Sequence, residues 1–411
     1  MKIIHASDLH LGKMIYGVSL IDNGDQPVWV DRFLEKIDEV RPDAVMFSGD
    51  VFDRSAPKDD AYQLLDYLIS ELEERNIPVL MIAGNHDSGT KLQYLSGILA
   101  KKNVFISGRL NKELMKVTLE DEFGKVNFYL LPYIFPNLVA EKLEDDSIKD
   151  SETAIAEVIK VQNVDFSERN VFIAHQNIIA NGEPVKLGGS ESMVGGSRGI
   201  DYKVFDGFDY VALGHIHSSY YVGREEVRYA GSPLCYHFDE TRQQNKGPIL
   251  VNMGAKGDKV LTETLVIEPL HRMVVIKGTV EEVKKRLEEE KHENEYLSVT
   301  ITDSKMTPGF SDYVRGLCEK QNSIVMELLS DYRPYSNNTD KTASSYNDKS
   351  IEEYFGELYR EKNNSIDPNE TEDKIIAMAS NIVRDTDAEV KQKDPEDVVV
   401  DKFLDDIIKM F

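Results

Sequence analysis

Several short stretches of the chain place imidazoles and carboxylates where an apolar run stops. Ser7-Asp8-Leu9-His10 follows the run Lys2–Ala6, and Gly49-Asp50 follows Ala44–Phe47. Gly84-Asn85-His86-Asp87 follows Ile77–Ala83, and Gly214-His215-Ile216-His217 follows Asp209–Leu213. His175 closes a further run, Val171–Ala174. Five of the nine histidines therefore stand at such ends (His10, His86, His175, His215 and His217). One histidine in such a place is commonly a satisfied core or loop residue; the concentration points to a shared site. Imidazole, carboxylate and amide oxygen together suit borderline first-row divalent cations, above all Mn²⁺, with Fe, Co, Zn or Mg²⁺ as other occupants. No cysteine belongs to the set, which argues against a structural zinc site. The Asp-x-His and His-x-His pairs, on an extended backbone, would point both members the same way, so that each pair could serve one cation.

The runs themselves are short and apolar, as buried strands are. Gly49, Gly84 and Gly214, before the polar residues, allow a sharp turn as three of these strands end. In sheets layered with helices, that C-terminal edge is where ligands bind. Helical patterns separate the runs: Pro27 to about Val40, about Lys58 to Arg75, and about Lys91 to Ala100. This alternation predicts a largely parallel sheet flanked by helices. Short strands follow over 103–131, then an acidic helical region over 141–162. Residues 181–199 are glycine-rich but lack the Gly-Lys-Ser/Thr of a nucleotide loop, leaving a close-lying loop or a surface loop. Alternating strands run on to about Ile267 as a second half of a sheet sandwich.

Over 270–330 the pattern becomes strand-helix-strand-helix-strand, with a capping-box signature from Thr279 to Glu282. Residues 334–349 are polar and aperiodic, which marks a linker. Beyond it, apolar stripes at helical spacing either pack on one another or wait for a partner. The expected domains are thus 1–268, 269–333, the linker 334–349, and a helical region 350–411.

At 411 residues, 41% hydrophobic and 29% charged, the chain has the composition of a globular protein with more than one domain. No apolar run approaches the roughly 20 residues of a membrane helix. The first residues already read as a strand and not as a signal peptide, and two cysteines without CxxC spacing fit a reducing, cytoplasmic setting. A net charge of −25 argues against the whole surface binding nucleic acid. It still permits a nuclease, because bound cations reverse the field locally.

Asp8-Leu-His10, Gly49-Asp50, Gly84-Asn-His-Asp87, His175 and Gly214-His-Ile-His217 resemble, in order, the five motifs of the calcineurin-like metallophosphoesterases. Ala6-Ser-Asp-Leu-His-Leu-Gly12, Gly49-Asp-Val-Phe-Asp53, Gly84-Asn-His-Asp-Ser88 and Ala230-Gly-Ser-Pro-Leu234 are further similar to the SbcD family of nuclease subunits, over roughly residues 1–330. The resemblance implies an α/β fold (α+β by layer): a four-layer β-sandwich flanked by helices, a small α/β capping domain that touches DNA, and a C-terminal helical tail. It implies two divalent cations, one held by Asp8, His10 and His217, the other by Asn85, His175 and His215, with Asp50 bridging and His86 as the non-ligand acid. Position 53, a histidine in other branches, is Asp here, and a turn contact is the expectation. Lys13, Tyr16, Lys186 and Arg198 are candidate DNA contacts.

The resemblance also implies the activity: a DNA double-strand exonuclease and single-strand or hairpin endonuclease for end processing, replication, repair and recombination. The implied partners are a second copy, through helices near 58–75 and 91–100, and an SbcC-type ATPase in a two-plus-two heterotetramer, docked on the tail. Two other readings stand beside this one, a small-molecule phosphodiesterase and a scaffold without catalysis.

Overall fold

A computed structural model describes residues 1–180, 182, 199–243 and 245–332. In chain order the elements are β1 (Lys2–Ala6), β2 (Met14–Ile15), β3 (Val18–Ser19), α1 (Asp25–Val40), β4 (Ala44–Ser48), α2 (Asp59–Glu74) and β5 (Val79–Ile82). Two helical turns follow, α3 (Gly89–Leu92) and α4 (Ser96–Leu99), then β6 (Val104–Ser107), β7 (Met115–Asp121) and β8 (Gly124–Leu130). Next come α5 (Pro136–Leu143), α6 (Ser151–Val161), β9 (Arg169–His175), β10 (Ile178–Ile179), β11 (Ile200–Asp201) and β12 (Tyr210–Gly214). The chain continues with β13 (Tyr220–Val222), β14 (Arg224–Tyr229), β15 (Ile249–Asn252) and β16 (Leu261–Thr264). The last described elements are β17 (Arg272–Gly278), α7 (Val280–Glu289), β18 (Glu295–Ile301), α8 (Pro308–Glu319) and β19 (Ile324–Ser330).

Strands β1, β4 and β5 are apolar on both faces, as a sheet covered on both sides requires. They form the centre of a six-stranded sheet ordered β16-β15-β1-β4-β5-β6, in which β1, β4, β5 and β6 run parallel. A second six-stranded sheet is ordered β13-β14-β12-β9-β8-β7. The strand period of two sorts the side chains. Ile3, Met46, Leu80 and Ile82 face Phe128, Leu130, Val171 and Tyr210 across the gap between the sheets. Val45 and Phe47 point outward, beneath Phe33, Leu34 and Leu68 of α1 and α2. Phe172 and Val211 do the same beneath Ile155 and Val158 of α6. The result is the helix–sheet–sheet–helix layering expected of an α/β chain.

One core histidine belongs to this packing. His5 lies between the sheets, with Nδ1 3.0 Å from the Tyr210 hydroxyl and Nε2 2.9 Å from Ser48 Oγ. Burial, aided by Arg228, pushes its pKa down to about 3, so the ring is neutral.

The third sheet, β17-β18-β19, is parallel. Its core joins Ile276, Leu297, Val299 and Ile301 to Val314 and Cys318. The Thr279–Glu282 capping box is present at the start of α7. Met273 and Tyr296 pack into the core of the first sheet, and Met1–Tyr332 form one compact unit. Among the described residues no helix is long and apolar enough to cross a membrane.

Three local expectations are corrected. The helix over 91–100 is broken, because Leu95 adopts a left-handed backbone (φ 61°) between two single turns. Tyr94, Leu95 and Ile98 stand exposed, so no buried apolar stripe stabilises a longer helix there. The helical region over 141–162 is split, because Asp145 accepts the Ser147 N–H (2.9 Å) and Asp150 caps α6 by accepting the Thr153 N–H (2.8 Å). Of the strands before Ile267, β13 and β14 extend the second sheet, but β15 and β16 return to the first, β15 antiparallel to β1 and β16 antiparallel to β15. The linker 334–349 and the helical region 350–411 lie outside the described residues.

Candidate metal centre

Parallel neighbours end side by side. The tips of β1, β4 and β5 therefore line one edge of the first sheet, and His175 of β9 pairs in register with Gly214 of β12 in the second. The two edges face each other across the sandwich.

The backbone that delivers the side chains is not extended, and the expectation that each alternating pair serves one cation fails for His215 and His217, though Asp8 and His10 do reach one point. Asp8, His10 and Asp50 have φ of 53°, 43° and 49°, and His215 has φ of 100°. Non-glycine residues pay about 1–3 kcal/mol for such conformations. Hydrogen bonds between the loops hold them there. Asp8 N–H donates to Gly49 O (3.0 Å), His10 N–H to Asp50 O (2.9 Å), and His215 N–H to Asp8 Oδ1 (3.1 Å). One consequence is that His215 and His217 serve different points rather than one.

At the first point, ligand atoms of Asp8, His10 and His217 lie within 4.8 Å of one another. His10 Nε2 and His217 Nε2 are 3.2 Å apart. At the second point, Asn85 Oδ1 is 3.0 Å from both His175 Nε2 and His215 Nδ1. Asp50 Oδ2 stands between the points, 3.6 Å from His10 Nε2 and 3.3 Å from His175 Nε2. All seven residues expected as ligands are thus brought together.

The donor set fits divalent cations on its own chemistry. His175 Nδ1 faces the Ser48 carbonyl at 2.8 Å and must carry a proton. Its Nε2 then meets only acceptors, Asn85 Oδ1 and Asp50 Oδ2, and needs positive charge between them. The electrostatics agree. Burial disfavours charge on His175, yet the Asp50 carboxylate and then Asp8 hold its pKa up to about 9. Burial pushes His10 down to about 4, against the pull of Asp53 and Asp50. Burial and the neighbouring His175 push His215 down to about 3. Burial opposes ionisation of Asp50 too, but His175 and His10 outweigh it and hold the carboxyl below the usual range. Neutral His10 and His215 and the ionised Asp50 are in the states that ligate metals, while on His175 a proton holds the place from which a cation would displace it.

His86 sits at the mouth, half-buried. Its backbone N–H donates to Asp50 Oδ1 (2.9 Å), and its Nδ1 faces the Asp53 carbonyl (2.8 Å). A ligand atom of His86 also lies within 4.8 Å of His10 and Asp50, so distance alone would admit it as a ligand.

Glycine is required by close approach at two strand ends. A Cβ on Gly84 would stand 2.1 Å from Asp50 Oδ1, and one on Gly49, at φ +92°, 2.4 Å from His175 Nδ1. Asp87 has a part that its sequence context did not reveal. Its carboxylate accepts the N–H groups of Gly84 (2.9 Å), Phe52 (2.8 Å) and Val51 (3.1 Å), tying the tip of β5 to the loop after β4.

The candidate DNA contacts are differently placed. Lys13 Nζ bonds Asp53 Oδ1 (2.8 Å) and lies over the Tyr236 ring, 5.1 Å from its centroid, so it is engaged within the site wall. Asp53 does more than make a turn, since its carboxylate is also 3.6 Å from His10 Nδ1. Tyr16 packs against Phe238 (5.2 Å), and burial pushes its hydroxyl up to about 12. Lys186, Arg198 and nearly all of the glycine-rich stretch lie outside the described residues.

Comparison with known proteins adds to this geometry. Residues 1–219 match the family model for the calcineurin-like phosphoesterase, and residues 269–363 match that for the type 5 capsule protein repressor C-terminal domain. The SbcD component of the nuclease SbcCD from Staphylococcus saprophyticus is 33% identical over 305 residues, spanning 72% of this chain and 77% of that protein. A crystal structure of TT1561 of Thermus thermophilus covers 64% of this chain and 98% of its own, at 9% identity and a TM-score of 0.36.

Proposed function

This chain belongs to the calcineurin-like phosphoesterase family, and from that premise we propose that it is the nuclease subunit of a DNA-processing complex. The observation that carries this reading is the convergence of seven ligand-type side chains on two adjacent points that share Asp50. Asp8, His10 and His217 would hold one cation and Asn85, His175 and His215 the other, with Asp50 between them available to both. The imidazole-rich set favours Mn²⁺ over Mg²⁺. Two such cations, when bound, neutralise the phosphodiester oxygens and activate a water for in-line attack.

The protein's own groups do the rest. Asp50 is held by the His86 N–H, so the shared carboxylate has a fixed direction. The Asp53 carbonyl anchors His86 Nδ1–H, so in its imidazolium form the ring can pass the second proton, on Nε2, to the departing oxygen as its bond to phosphorus breaks, and is left neutral.

The resemblance to a named subunit of a two-part nuclease supports an SbcC-type ATPase partner in a two-plus-two assembly, and DNA as substrate in replication, repair and recombination in the cytoplasm. Exposed Tyr62, Tyr67, Tyr94, Leu95 and Ile98 support a homodimer through 58–75 and 91–100. The division at 268/269, with a DNA-capping unit over 269–333 and a partner-binding tail beyond 350, is part of the same proposal.

The test is Mn²⁺-dependent cleavage of end-labelled duplex DNA, with and without the ATPase partner and ATP, alongside His86→Asn. Cleavage should require the cation, rise with the partner, and fall about 10²–10⁴-fold in the variant while its cation binding persists. Turnover of bis-p-nitrophenyl phosphate with no DNA cleavage under any condition would replace the nuclease by a small-molecule phosphodiesterase. No turnover of either would leave a scaffold.

A further inference from the structure

Behind the first cation point lies a buried ion pair to which the chemistry above gives no part. Glu240, whose side chain is 1% exposed, sits in the helical turn Phe238–Gln243. Its Oε1 is 3.4 Å from His217 Nδ1, and its Oε2 is 3.0 Å from Lys246 Nζ. Lys246 in turn donates to His217 O and to Ser232 Oγ, both at 2.8 Å. Removing two opposite charges from water costs several kcal/mol per ion, so such a pair is a poor source of stability. Its position suggests what it is for. A ligating imidazole must present one nitrogen lone pair to the metal, and the group hydrogen-bonded to the other nitrogen selects the tautomer, aims the ring and raises its basicity.

The two points differ in this respect. His175 is backed by the neutral Ser48 carbonyl, and His215 turns its Nδ1 toward Asn85. At the first point His217 is backed by the lysine-paired carboxylate of Glu240, whereas Asp53, paired with Lys13, stands 3.6 Å from His10 Nδ1, beyond hydrogen-bond range.

We propose that Glu240, held in place by Lys246, is a positioning residue for His217. It accepts the Nδ1 proton, aims Nε2 toward His10 and Asp8, and strengthens cation binding at that point and not at the Asn85 point. The inference rests on the two-cation reading above and adds to it an asymmetry between the sites.

The experiment is a calorimetric Mn²⁺ titration of the full chain, together with thermal melting of the cation-free protein. The variants are the charge-balanced pair Glu240→Gln with Lys246→Met and, separately, Glu240→Asp. The aspartate keeps the ion pair but withdraws the carboxylate from His217 by one methylene. Wild-type protein should bind two cations. Each variant should lose about 10–100-fold in affinity at one of the two sites, with the other unchanged and the cation-free melting temperature preserved. Unchanged binding at both sites would overturn the proposal. So would equal weakening of both sites with a lowered melting temperature, since that marks a merely structural pair. Fewer than two cations on the wild type would overturn the two-cation reading itself, and the proposal with it.

Discussion

Gly84→Ala isolates the geometry of the shared carboxylate. The substitution adds one methyl group to a residue that sits at the tip of β5 with an ordinary backbone conformation. The Cβ would lie 2.1 Å from Asp50 Oδ1, 2.3 Å from Asp50 N and 2.8 Å from Asp50 Cγ. Non-bonded carbon–oxygen contacts relax only beyond about 3 Å, so Asp50 must retreat by about 1 Å. Little else can yield. The Asp50 carbonyl already accepts the His10 N–H (2.9 Å), and Oδ1 accepts the His86 N–H (2.9 Å). A misplacement of about 1 Å in a reacting site costs about 100-fold, or about 2.7 kcal/mol of transition-state stabilisation.

We expect Gly84→Ala to lower kcat/KM for bis-p-nitrophenyl phosphate by about that factor and, if Asp50 serves both cations as proposed, to weaken both together. Circular dichroism should be unchanged, since the strand ladder is untouched. Gly97→Ala, where an added Cβ meets nothing within 4 Å, is the control. Wild-type turnover and wild-type cation affinity in Gly84→Ala would refute the claim that Asp50 is held rigidly between the two points.

Two further perturbations test the scaffold. Arg169, buried in β9, bonds Asp121 through two nitrogens and holds its carboxyl below the usual carboxylate range. Because the folded value lies below the unfolded one, this contribution is complete above the ordinary carboxyl pKa and fades as pH falls toward the folded value. Asp121→Asn should therefore cost about 3 kcal/mol in urea unfolding at neutral pH, and the gap between the two proteins should begin to narrow below about pH 4 and go on narrowing as pH falls toward the folded value. Gly316 lies inside α8, and an added Cβ there meets nothing within 4 Å. Gly316→Ala should stabilise the protein by about 0.5–1 kcal/mol in the same assay.

The ligand-type residues were legible because each stands at the end of a fully buried strand, where an apolar run gives way abruptly to polar side chains. What the run cannot encode is the backbone beyond it. Asp8, His10 and His215 reach the site through left-handed conformations held by hydrogen bonds from distant loops. Alternation along the chain therefore misassigned which histidines act together. Asp87 was visible as a member of its tetrapeptide, but its three N–H contacts depend on the loop after β4 lying alongside. Glu240 had no local signal at all; only the fold brings it under His217. The broken segment at Leu95 carries apolar residues at helical spacing, and its exposure is a property of the surface that no period reveals.

The first strand is stitched on both sides, by β4 close in sequence and by β15 some 250 residues later. During synthesis at about 5–20 residues per second, β15 emerges roughly 10–50 s after β1. Until then the growing chain carries an open, apolar strand edge, the kind of surface that templates aggregation. His217 and its supports Ser232, Glu240 and Lys246 arrive in that same late stretch. The N-terminal half can make its helices early, but a nascent chain stalled before His215 and His217 lacks two of the seven ligand-type residues.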